Sequence, residues 1–501
     1  MPNSVAWHKP AALVAWAAFG FLAGILARAA SPFEAAPFWI LTVLVAAGCL
    51  LGKSPKIRAC GVFVLAAAFG VWRFDLTLPG TDDDVTSRVG SAVTLAGRVT
   101  DVRAYDAVIT VKTADGRAAW TRSRVSVAGR GRVVGETVSV SCALAPDQKA
   151  DARSTLFEMR QGIFARCRGA ARVTRVKSPS SWDVAALLFR WREIMSRRVR
   201  SVLPGDEGAL LAGILYGERG LSRAANLSFR NAGMTHLIAV SGSNITLIVS
   251  FFVPLFILLG YRRKSAIILS GLGILLFVLF VGAQASVVRA ALMGWLALLA
   301  RVFGRKAEAM RLLAIAAAII VIFDPWALAF DAGFALSFLA TWGLIAWARP
   351  IAEHLKWIPE TFGLREVVAT TVAATLTTTP YMLWAFERTT LAGLVTNLFA
   401  IPLVGFTMLL GAIALAAAPV FPSAALPASG CLRVLLGIAA LADRAPWLSA
   451  SFALPIWGLF FIYAVMMVIW LRNRAKKTDY PQPEESKLEK RPVLRAFVRA
   501  F

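Results

Sequence analysis

Long apolar runs separated by short basic loops dominate the chain. A run of about 18 apolar residues is enough to cross a roughly 30 Å hydrocarbon core. Three such spans come first, near 11–27, 37–52 and 57–74. The short loop before the third carries Lys53, Lys56 and Arg58, and basic short loops face the cytoplasm. The N-terminus is therefore expected inside and the residues after Arg73 outside. Leu13–Leu26 continues into two further apolar segments, so it reads as a first span and not as a cleaved signal.

The pattern then changes period. Residues 80–180 are polar, and their apolar positions alternate, as in Val93, Leu95, Gly97, Val99 and again in Val138, Val140, Cys142, Leu144. Alternation of this kind predicts half-buried strands. Five are expected, at 92–100, 107–113, 122–128, 133–144 and 162–176, a number suited to a small β-barrel of the OB type. A bridge, 181–231, follows, in which Trp182–Val202 sets Leu187, Leu188, Trp191, Ile194 and Met195 against a row of arginines. Such a helix can lie in a membrane interface.

A second set of spans is expected near 233–259, 265–283, 285–303, 311–325, 332–348, 366–386, 391–418 and 452–471. Arg262-Arg263-Lys264, the Arg301/Arg305/Lys306 cluster and Arg349/Lys356 fall at alternate loops, in step with the first three spans. The tail, 473–501, is polar and expected to be cytoplasmic. Parity then requires one more crossing between 419 and 450, where the apolar stretch 432–441 is short. The expected fold class is thus a polytopic α-helical membrane protein with an extracytoplasmic small β-barrel (OB-like) domain. Its segments are N-terminal helices 1–79, barrel 80–180, connecting helices 181–231, helical membrane domain 232–472 and tail 473–501.

Composition agrees: 58% of the 501 residues are hydrophobic and 17% charged, which excludes a mainly soluble enzyme. A formal net charge of +25 exceeds what positive loops explain and leaves room for an anionic partner, lipid or nucleic acid. Five cysteines are too few for a disulfide framework. Cys49, Cys60 and Cys431 read as buried small hydrophobes. Cys142 and Cys167 lie in the polar region and can pair if it faces an oxidising compartment. Three scattered histidines and no metal-ligand spacing predict no metal site and no cofactor. The stretch Ala47–Ser54 only approximates a phosphate loop and is rejected. His236 near Ser241 lacks a nucleophile elbow, so no catalytic residue is expected.

Polar groups inside the spans carry the remaining chemistry. Ser241, Ser243, Asn244 and Thr246 flank Gly242 in one span, a pattern that suits either a bent helix lining a hydrated path or small-residue packing. Gln284 and Arg289 open another, and an intramembrane arginine is functional, paired or snorkelled outward. Thr375, Thr377, Thr378 and Thr379 before Pro380 suit pore lining or repair of a proline kink equally. In the barrel, Arg98, Arg103, Lys112, Arg122 and Arg124 accompany Tyr105 and Trp120, as single-strand binding through phosphates and stacking would need. Contact with anionic lipid or wall polymer is the alternative there.

Several ordered motifs resemble one family. Leu203-Pro204-Gly205-Asp206-Glu207 leads into LLAGILYGERGLS (210–222) and FRNAGMTHLIAVSGSN (229–244). VVRAALM (287–293), Gly304-Arg305, DAGFALSFLATWGLI (331–345), TTTPYMLWAF (377–386) and NLFAIPLVGF (397–406) follow, and LFEMRQGIFARC (156–167) closes the barrel region. Together they resemble the ComEC competence family of bacterial DNA-uptake channels. The family often has His where Asn244 stands. The resemblance implies a channel of the inner membrane that passes single-stranded DNA into the cytoplasm during natural transformation, with both termini inside. It implies no enzymatic role and no cofactor. Many members also carry a C-terminal metallo-β-lactamase-like domain, of which these residues show no motif, so a separate nuclease is expected. A DNA receptor and a cytoplasmic translocation ATPase are the other implied partners, beside membrane lipid. Ser241, Ser243, Asn244, Thr246, Gln284 and Arg289 are then candidates for the DNA path. Arg98, Arg103, Lys112, Arg122, Arg124, Arg197 and Arg198 are candidates for its mouth. A secondary transporter of a small polar or anionic solute is the alternative from another class.

Overall fold

The computed structural model describes residues 10–30, 45, 49, 54–77, 85–102, 106–118, 124–128, 132–146, 163–180, 183–218, 220–238, 252–282, 285–302, 309–359, 363–418 and 420–478. The chain forms two units, residues 1–195 with 317–331, and 196–316 with 332–501.

In the first unit, α1 (Pro10–Ala30) and α2 (Pro55–Asp75) lie side by side and parallel. Gly20 and Gly24 of α1 sit against the backbone of Phe63 and Ala67, and Gly70 of α2 sits against Phe21. Small residues four apart let two helix backbones approach where lipid offers no hydrophobic drive to pack them. Arg28 and Asp75 pair at 2.5 Å where the two helices end. Parallel neighbours require the chain to return between them; the expected span 37–52 lies largely outside the described residues. The end of α2 also meets that of α8 (Ala309–Phe323): Arg73 Nε donates to the Ile322 carbonyl at 2.8 Å, and Trp326 Nε1 to Thr77 Oγ1 at 3.0 Å.

Alternating sequence produces the barrel. Its strands are β1 (Ala92–Val102), β2 (Asp106–Ala114), the two-residue β3 (Arg117–Ala118), β4 (Arg124–Ala128), β5 (Thr137–Pro146) and β6 (Ile163–Lys177). The order is β1-β5-β6-β4-β2-β3, and β1 also pairs with β2, so the five long strands close on themselves. All pairings are antiparallel except β4 with β6. This is the Greek-key closure of an OB-like barrel. Val93, Leu95, Val99, Ile109, Val111, Val125, Val127, Val138 and Val140 fill its core. A Cβ on Gly97 would strike the Thr110 carbonyl, and the β1–β2 register shifts between Ala96 and Gly97. Cys142 on β5 and Cys167 on β6 are disulfide-bonded, their Cα atoms 5.5 Å apart.

Helix α3 (Val184–Val202) leads into the second unit, which begins with α4 (Gly205–Tyr216) and α5 (Arg223–Asn231). Its longer helices are α6 (Arg263–Val281), α7 (Ala285–Val302), α9 (Ala332–His354), α10 (Leu364–Phe386), α11 (Ala392–Ala417), α12 (Leu426–Ala442) and α13 (Ile456–Thr478), with the start of α8. Among the described residues six helices are long and apolar enough to cross a membrane, and α1, α7 and α8 are shorter apolar helices. Helix α10 spans the expected segment but is diluted by its threonines.

A helix long and apolar enough for the crossing that parity demanded is α12 with the 3-10 turn before it, an apolar stretch over Pro422–Ala442. The short strands β7 (Arg388–Thr390) and β8 (Ser449–Ser451) pair antiparallel. The links after α10 and after α12 therefore share one end of the helices, so α11 and α12 run out and back as an antiparallel pair.

One expectation is corrected. Cys60 is exposed, and Cys49 and Cys431 are half-exposed. An apolar residue of a membrane helix need not enter a protein core, since lipid accepts it equally well.

Candidate functional site

At the end marked by β7 and β8, three segments distant in sequence meet through Asn231, the last residue of α5. Asn231 Nδ2 donates to Asp443 Oδ1 at 2.8 Å, and Arg388 donates to Asn231 Oδ1 at 3.0 Å. The Asn231 carbonyl accepts from Thr390 Oγ1 at 2.9 Å, and that of Ala232 from Thr396 Oγ1 at 2.8 Å. The Ser228 hydroxyl also donates to Asp443. Gly233, at φ +69°, leaves so little room beside Gly393 that a Cβ would meet its backbone. These bonds fix the point from which the chain enters the segment holding Ser241 to Thr246. Arg230 and Arg444 are exposed beside this junction, each next in sequence to one of its members, with the exposed Glu387 as the opposing charge. The junction thus joins a neutralised polar hub to a cationic rim. Sequence reasoning passed over Asn231, Arg388 and Asp443. The only local signal was Arg230-Asn231 within the 229–244 motif.

Other ties stiffen this platform. Glu207, in the first turn of α4, accepts from Ser429 at 2.6 Å and Arg433 at 2.8 Å of α12. Asp206 accepts from the backbone and hydroxyl of Ser222, both at 2.8 Å, and Ser222 caps α5. Glu218 takes Arg200 at 2.6 Å and the Ser196 hydroxyl. Burial pushes the neighbouring Tyr216 hydroxyl up to about 12, which keeps it protonated.

Of the path candidates, Ser241, Ser243, Asn244, Thr246 and Gln284 lie outside the described residues. Arg289 on α7 is 9% exposed. Its Nη1 donates to the Ser337 carbonyl of α9 at 2.8 Å, and its guanidinium carbon lies 5.8 Å from the Phe338 ring centroid. Its Nε has no hydrogen-bond partner. The side chain is therefore not snorkelled outward, and among the described residues it pairs with no carboxylate. The threonines before Pro380 act on their own helix: Thr377 Oγ1 donates to the carbonyls of Ala373 and Ala374 at 3.1 Å, and Thr378 to that of Ala374 at 2.8 Å. Tyr463 on α13 donates to the Thr377 carbonyl at 2.8 Å. Thr377 and Thr378 thus spend their hydroxyl donors within their own helix, one turn before Pro380.

The mouth candidates separate. Arg98 on β1 is bound to Asp183, just before α3, so its charge is already engaged. Thr110 of β2 lies between Arg98 and Arg124 in register, and Lys112 follows two residues on along the same outer face. Lys112 and Arg124 are exposed there, on the β2–β4 face that OB barrels use for oligonucleotides. Arg197 and Arg198 are exposed on α3, whereas Arg103 and Arg122 lie outside the described residues.

A closed small barrel combined with a bundle of membrane-length helices defines a multi-pass membrane protein with a β domain. Comparison with known proteins narrows this class. The family model described as Competence protein matches residues 214–476, just over half of the chain, and the chain belongs to that family. It is also 28% identical over 232 residues to ComE operon protein 3 of Bacillus subtilis (strain 168), covering 45% of this chain and 29% of that protein. The match thus spans under a third of the relative's length. No solved structure matches.

Proposed function

We propose that this protein is the inner-membrane channel that passes single-stranded DNA into the cytoplasm during natural transformation. Membership of the Competence family, over the unit that holds the polar junction, carries the reading. A DNA strand brings one charge per nucleotide into a low-dielectric layer and needs a hydrated route with cationic groups at its entrance. Arg230 and Arg444 beside the junction and the Lys112–Arg124 face supply such groups. The disulfide supports an oxidising, external location for the barrel. Basic loops after α9 and α13 then mark the cytoplasmic side, and counting α12 as a span puts both termini there. A separate motor or the membrane potential drives transport. A DNA receptor and a separate nuclease deliver the strand.

Deletion in a transformable host, followed with labelled DNA, tests this reading. Label should bind the cell surface but stay out of the cytoplasm; normal internal label refutes the channel. For the barrel, the intact protein in detergent should bind single-stranded DNA more weakly once Lys112 and Arg124 are both glutamate. The slope of affinity against salt should flatten by roughly one to two ions, as two lost phosphate contacts require. Unchanged binding and slope would remove the barrel from the mouth.

A further inference from the structure

We infer that α3 is an anchor lying in the surface of an anionic bilayer, independent of any part it takes in transport. Four large apolar side chains on one stripe of this helix face outward: Val184 (61% exposed), Leu187 (46%), Trp191 (53%) and Ile194 (49%). At 3.6 residues per turn they fall within about a quarter of the circumference. Ala186, Ser196 and Val199, off that stripe, are buried instead. The packing of α3 on its own chain therefore leaves its most apolar edge unpartnered.

The flanks name the occupant. Arg190 and Arg197 border the stripe on one side and Arg198 continues it beyond Ile194; all three are exposed. Another protein would offer an apolar groove but no reason for arginines along its rim. A lipid surface supplies both requirements, hydrocarbon below the stripe and phosphate level with the guanidinium groups. Trp191, at the middle of the stripe, suits the amphipathic headgroup layer. Helices of this type sink their apolar face about 5–10 Å into the boundary and respond to lipid charge.

Spin labels test the placement. The full chain, with Cys49, Cys60 and Cys431 changed to alanine, is labelled at Leu187→Cys, Trp191→Cys or Glu193→Cys. Each is reconstituted in vesicles of phosphatidylcholine with an equal share of phosphatidylglycerol. Oxygen should outcompete a water-soluble nickel chelate severalfold more at 187 and 191 than at 193. Pure phosphatidylcholine should reduce that contrast. Nickel access at 187 and 191 equal to that at 193 would overturn the proposal. So would exclusion of both reagents, which would place protein over the stripe, and so would a contrast indifferent to lipid charge. Unaltered DNA binding by these variants is expected, so a failure here leaves the channel reading intact.

Discussion

Leucine in place of Gly24 is expected to destabilise the first unit by more than about 3 kcal/mol, beyond the ordinary range for an overpacked core. A Cβ at Gly24 would collide with the Ala67 carbonyl, and one at Gly20 with that of Phe63. The opposing atoms are backbone, so no rotamer change relieves the clash; the helices must separate. Separation would also break the Arg28–Asp75 pair and the Phe21–Phe69 ring contact at 5.6 Å. Lipid tails replace lost helix contacts without restoring the close packing that held them. Phe19→Leu, on an exposed position of the same helix, is the control and should be near neutral. Thermal unfolding in detergent reads the difference. If Gly24→Leu melts with the Phe19→Leu control, the close approach of α1 and α2 is not what holds this pair.

The features that were readable from sequence share one property: their signal is local. The barrel alternates at period two, and four of its five principal strands begin within about two residues of the expected positions; β5 starts four residues late. The sharp turn around Gly135 takes up its expected start. Most of the membrane helices were equally plain. Helix α12 was not, because Pro422, Pro427 and the glycines at 430 and 437 interrupt its apolar run and hide a continuous helix. Function was harder still. Asn231 meets Asp443 across 212 residues and Arg388 across 157, and Arg98 meets Asp183 across 85. No window of sequence holds both members of such a pair. Sequence reasoning therefore grouped Arg98 with the surface cations, although the fold ties it to Asp183, and passed over a junction made from residues each unremarkable alone.

Arg289→Met is expected to leave the fold as stable as before, or more stable by about 1–3 kcal/mol, while reducing DNA uptake at least tenfold. The stability argument follows from incomplete pairing. A buried donor without a partner costs on the order of 1–3 kcal/mol, and replacing a buried charge by an apolar side chain of similar volume is often neutral or stabilising. Arg289 keeps one such donor, Nε. The Ser337 carbonyl it leaves behind still accepts from Thr341 Oγ1 at 2.9 Å, so methionine orphans nothing. An arginine that costs stability inside a membrane marks a functional requirement. Under the channel function proposed above, that requirement is positive charge facing a polyanion. Arg289→Lys should accordingly retain more uptake than Arg289→Met, though less than arginine because lysine lacks the guanidinium that bonds Ser337 and lies over Phe338. Thermal unfolding and uptake measured on the same variants separate the two roles. A methionine variant that unfolds early and is rescued by lysine would make Arg289 a structural tie between α7 and α9. One that transforms normally would remove Arg289 from the DNA path altogether.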